Sequence, residues 1–71
     1  ELKGMALNIR ARSRAKSKDF DGARVDFEQS MEILEAAGNP KRTQVIEYYA
    51  AMEEGVGNQQ RAAELRALIE P

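Results

Sequence analysis

Apolar side chains recur at helical intervals through most of the chain. Phe20, Ala23, Phe27, Met31 and Leu34, with Ser30 in the same series, fall at steps of three and four. They form one stripe on a helix predicted over roughly 20–37. Upstream, LKGMALNIRARSRAKS is dominated by good helix formers and predicts a first helix over roughly 2–17. Downstream, Val45, Tyr49, Met52 and Val56 share a face of a third helix over roughly 40–55. Ile46 and Ala50 widen that face enough for two neighbours. Ala62, Leu65, Leu68 and Ile69 mark a fourth helix. No strand-length alternation of β-branched residues occurs, so the fold class is all-α.

The punctuation agrees with the periodicity. Asp19 is placed to N-cap the second helix, with Asp21 in a first turn that favours negative charge. Gly38 suits the position after that helix. Asn39 then caps the third, with Pro40 at its first position, where a missing N–H does no harm. Gly55-Val56-Gly57 closes the third helix and Asn58 caps the fourth. Connections of about two to four residues make consecutive helices antiparallel neighbours. The expectation is one domain over 1–71, built as two tandem antiparallel hairpins, 2–37 and 40–70.

Composition narrows the chemistry. With 71 residues the core is thin. Cysteine and histidine are both absent, which removes disulfides, thiolate metal sites and the commonest general base. No apolar run approaches a membrane span or a signal-peptide core, and the composition fits an intracellular, cytoplasmic protein. The chain opens on Glu1 rather than Met, as expected of a piece of a longer protein. Net charge is −1, but unevenly spread: residues 1–24 sum to +4 and residues 25–71 to −5. Either the first half has an acidic partner or it faces the acidic remainder of its own chain.

Four stretches carry candidate chemistry. Ser17, Asp19, Asp21, Gly22 and Glu28 nearly match the spacing of a calcium loop. Ser17 is a weak first ligand, however, Arg24 stands where an apolar residue belongs, and no second loop follows. Adjacent Glu53-Glu54 point about 100° apart on a helix and read as a solvated face rather than a catalytic pair. Gly55-x-Gly57 follows no strand and is no phosphate loop. The run Arg10-Ala-Arg-Ser-Arg-Ala-Lys-Ser-Lys18 puts Arg10, Arg14 and Lys18 on one side of a helix and Arg12 and Lys16 on nearly the opposite side. Its cations suit an acidic peptide, nucleic-acid phosphates, or a face whose charges meet the acidic second helix. No aromatic interleaves with the run, so base stacking is unsupported.

The two predicted hairpins are weakly self-similar at an offset of 39 residues: Lys18-Asp19 precedes Ala23 as Gly57-Asn58 precedes Ala62. The series Asp19-Phe20-x-x-Ala23-x-x-x-Phe27-x-x-Ser30 resembles the tetratricopeptide repeat family. It follows that family's order of turn, aromatic, small, aromatic and small residues, and Ala11 and Ala50 fall at its small position on the preceding helix. Arg10 and Arg14 depart from it, standing where the family has Leu and Tyr. Arg66 replaces an aromatic, and the spacing exceeds the usual repeat by five residues, placed in the Gly38–Thr43 connection.

The resemblance implies an α-solenoid whose first helices line a peptide-binding groove, with Asn8, Arg12 and Lys16 facing it and Tyr48 as a contact from the second repeat. Repeats need stacked neighbours. Further repeats or self-association are therefore expected, docking on Leu65, Leu68 and Ile69. The leading expectation is a non-catalytic protein–protein interaction module without a cofactor. A basic-faced domain binding nucleic acid is the alternative, and a calcium-binding domain is a third reading.

Overall fold

The structure, a computed structural model, describes residues 2–70; Glu1 and Pro71, the ends of the expected domain, lie outside the described residues. It is all-α. Four helices follow in order: α1 (Leu2–Lys16), α2 (Phe20–Ala36), α3 (Arg42–Gly55) and α4 (Gln59–Ala67). Neighbours pack in pairs, α1 on α2 and α3 on α4, and α2 joins the pairs by packing on α3. α1 and α3 touch only slightly. The Cα envelope measures 31 × 29 × 13 Å. The thin dimension is that of two helix layers, about 9 Å between axes plus a Cα radius of about 2.3 Å on each side. Among the described residues no helix is long and apolar enough to cross a membrane.

All three connections use one device. At the end of α2, the N–H of Gly38 donates to the Glu35 carbonyl and that of Asn39 to the Leu34 carbonyl, with Gly38 left-handed at φ 64°. This is a Schellman turn, which satisfies carbonyls that the helix itself leaves open. Gly57, at φ 89°, closes α3 in the same way, with Asn58 N–H bonded to the Glu53 carbonyl. The first turn repeats the pattern without glycine: Lys18 takes φ 67°, and Asp19 N–H reaches the Arg14 carbonyl.

Asp19 and Asn58 then each begin the next helix. Their side chains accept from Gly22 N (3.1 Å) and Arg61 N (3.4 Å). The middle connection is longer, and α3 starts at Arg42 rather than at the expected 40. Asn39 spends its side chain on Lys41 N at 2.9 Å, forming an Asx turn, and Pro40 belongs to the turn before the helix.

Small residues set how closely α1 approaches α2. Ala11 and Ala23 are fully buried. Near the far end of the pair, Gly4 is buried, and a Cβ there would come within 3.1 Å of Leu34. The Ser30 hydroxyl donates to the Gly4 carbonyl at 2.6 Å. Between the hairpins the rings of Phe27 and Tyr49 stack at 5.2 Å with 9° between planes. Leu34, Val45, Ile46, Ala50, Ala62 and Leu65 complete the core. Leu65 is therefore not a docking residue: it is fully buried on the inner face of α4. Leu68 and Ile69 lie past the end of that helix. Leu68 is 51% exposed, whereas Ile69 packs against the core.

Candidate functional site

The charge asymmetry resolves first. Asp26 on α2 is buried and held by Arg10, whose Nε and Nη2 donate to its two oxygens at 2.8 and 2.9 Å; Arg14 approaches within 3.3 Å. Arg10 and Arg14 are the residues that depart from the tetratricopeptide pattern. Both meet a buried carboxylate. Two of the five cations of the basic run thus face their own acidic second helix, one of the two alternatives open from sequence.

Glu53 is likewise buried, at 1% exposure, and Arg24 grips both of its oxygens at 2.9 Å. The expectation that Glu53-Glu54 form a solvated face fails at Glu53, because residue 53 lies on the side of α3 that meets α2. Glu54 stays exposed and pairs with Arg66. The forked hydrogen bonds of Arg10 and Arg24 hold the Asp26 and Glu53 carboxyls below the usual carboxylate range, against the opposing effect of burial. The Tyr49 hydroxyl donates to Glu28 at 2.7 Å. Burial first, and then that bond, push its phenol up to about 12.

The calcium-like stretch is also accounted for by folding. Residues 20–28 are helical, Asp19 caps them, and Asp21 pairs with Arg24. Glu28 accepts from Tyr49 and lies 3.7 Å from Arg61. A cation loop would need these residues wrapped around one point, and a straight helix keeps them apart.

Among the described residues Arg12 is the one arginine without a carboxylate partner. Its guanidinium lies 3.9 Å from the centroid of the Tyr48 ring, a cation–π contact from α1 to α3. The pair stands over a groove of 490 Å³, open to solvent. Its α1 wall carries Arg12 and Lys16, one turn apart. Its second wall carries Tyr48, Ala51 and Met52 of α3, with Val56 just past that helix, and half-buried Phe20 of α2 forms the floor, with Phe27 sealed beneath. The groove exists because α1 and α3 both lean on α2 while barely touching each other.

Of the residues expected here, Arg12, Lys16 and Tyr48 come together. Asn8 does not: it is 2% exposed, and its Oδ1 has no hydrogen-bond partner. Residue 8 lies one turn before Arg12, on the part of α1 turned into the protein. Phe20 and Phe27 were legible as an apolar stripe, but not that Phe20 would stay half-buried at the groove while Phe27 is sealed beneath it against Tyr49, because that depends on how far α1 and α3 stand apart.

Comparisons with models of known protein families, with curated proteins and with solved structures returned no match to this chain.

Proposed function

We propose that this chain is a non-catalytic, tetratricopeptide-like interaction module that holds a segment of a partner protein in the groove between α1 and α3. One observation carries the reading. The other arginines are tied to carboxylates within the fold, while Arg12, with Lys16 one turn on, stands at the edge of an apolar, aromatic-floored cleft. Exposed apolar surface rimmed by polar groups is the ordinary signature of a docking site. The nucleic-acid reading loses ground on the same observation, since Arg10 and Arg14 are taken from the basic run by Asp26. The exposed Leu68 supports stacking of a further helix or a second copy at the α4 end.

The test is site-directed photo-crosslinking. A crosslinkable residue at Ala51, in the groove, should give discrete partner adducts. The same residue at the exposed Gln29, on α2, should not. Equal adducts from both positions would remove the groove from consideration.

A further inference from the structure

Building on that reading, we infer that the groove takes an acidic amphipathic α-helix rather than an extended peptide.

Three features point to this. First, both walls are helices whose backbone groups are already bonded within them, and neither Asn nor Gln is among the lining residues. An extended segment would lie there with its N–H and C=O groups facing apolar side chains and aromatic faces, with little to pair with. A helix satisfies its own backbone and needs only side-chain contact.

Second, the groove runs along α3 from Tyr48 to Gly55, seven residue steps or about 10.5 Å, which is two turns of a helix laid alongside. Phe20 and Phe27, two turns apart on α2, lie beneath the same length.

Third, the charge is one-sided. Arg12 and Lys16 sit at i and i+4 on the α1 wall, while the α3 wall offers Tyr48 and aliphatic groups. The complementary helix carries Asp or Glu at i and i+4 along one edge and a stripe of large apolar residues beside it. Tyr48 holds the face of the Arg12 guanidinium at 3.9 Å, so the planar group is already oriented before a carboxylate arrives at its edge.

Calorimetric titration with three synthetic helical peptides of one length tests this. The first carries a Leu stripe with Glu at i and i+4 on one edge. The second replaces those Glu by Lys. The third is the first with a central Pro that breaks the helix. The first should bind and gain helicity by circular dichroism, with the other two at least tenfold weaker. R12E/K16E should weaken the first at least tenfold. Ala51→Arg, on an exposed position, should abolish binding while leaving the melt unchanged.

Equal binding of the Lys peptide, still blocked by Ala51→Arg, would overturn the acidic partner but leave the groove standing. Equal binding of the Pro peptide would overturn the helix. Displacement of the first peptide by single-stranded RNA, with the RNA also lost on R12E/K16E, would overturn both in favour of phosphate recognition. If none of the three binds, the inference falls, whereas the groove itself stands or falls with the crosslinking at Ala51.

Discussion

Arg24 reaches from α2 to α3 and grips Glu53 with two hydrogen bonds of 2.9 Å, making a partly buried ion pair one of the polar links between the hairpins. Beside it the Phe27–Tyr49 stack makes the apolar link. The two partners differ in exposure: the Glu53 side chain is sealed, while Arg24 remains partly solvated.

Removing Arg24 alone leaves a carboxylate buried without its partner. Arg24→Met should destabilise the fold by about 3–5 kcal/mol, the usual cost of breaking such a pair from one side. Arg24→Met combined with Glu53→Leu should cost much less, because no charge is then stranded. Urea titrations of the two variants against the parent measure both. A double variant no better than the single one would show that packing, not stranded charge, sets the cost.

Acid should weaken the fold through Asp26 and Glu53. Both folded carboxyls titrate below their ordinary values, while in the unfolded chain they titrate near about 3.9 and 4.3. Each therefore contributes its full stabilisation above those unfolded values. The contribution is lost as pH falls from about 5 through the lower folded values. The urea midpoint should be level from pH 7 to about 5 and then drop. Asp26→Asn and Glu53→Gln should each start lower and fall less steeply.

Lys18 holds a left-handed φ of 67° at a turn position that is glycine in the other two connections. A side chain there costs about 1 kcal/mol in crowding between Cβ and backbone. Lys18→Gly should stabilise by about 0.5–1 kcal/mol, since glycine's extra freedom in the unfolded chain offsets part of the gain. That corresponds to several degrees in Tm for a domain of this size. A lower Tm would mean that the lysine stem contributes packing which outweighs its backbone cost.

Gly4 marks a close approach of α1 to α2. A Cβ would press on Leu34 at 3.1 Å and on the Ile33 methyl at 3.2 Å. Gly4→Val should force the helices apart, lengthen the Ser30–Gly4 contact and destabilise by about 1–3 kcal/mol, the usual cost of overpacking. Thermal melts check the sign. An unchanged Tm would show that Leu34 has room to turn aside.

Much of this architecture was written locally. The stripe from Phe20 to Leu34, the caps at Asp19 and Asn58 and the glycine at 38 each act through neighbours three or four residues away, so they were readable before any packing was known. Asn39 misled because an Asx turn and a helix cap use the same side-chain oxygen, and the choice depends on the turn that precedes it. Glu53, Asn8 and Leu65 were misplaced for a different reason. Which face of a helix is buried depends on how many neighbours it meets, and a charged residue on a buried face declares itself only when its cation, here Arg24 from 29 residues away, is seen beside it. Arg12, Lys16 and Tyr48 were expected together from the tetratricopeptide resemblance, and the structure brings them to one groove. The floor beneath them needed the third dimension.

Asp19 and Asn58 each close one helix and open the next. A residue added at either turn would misalign two helices at once, with no slack to absorb it. The connection over residues 37–41 ends one helix on Gly38 and begins the next only at Arg42, so it has more residues than the other two turns over which to absorb an added one. That makes it the natural place to splice in a reporter, a protease site or a spectroscopic label, and the place where a cut would separate the chain into its two hairpins. A chain nicked there should still hold together through Arg24–Glu53 and the Phe27–Tyr49 stack, or come apart cleanly if those contacts fall short. Either result weighs directly how much of the fold belongs to each hairpin and how much to their meeting.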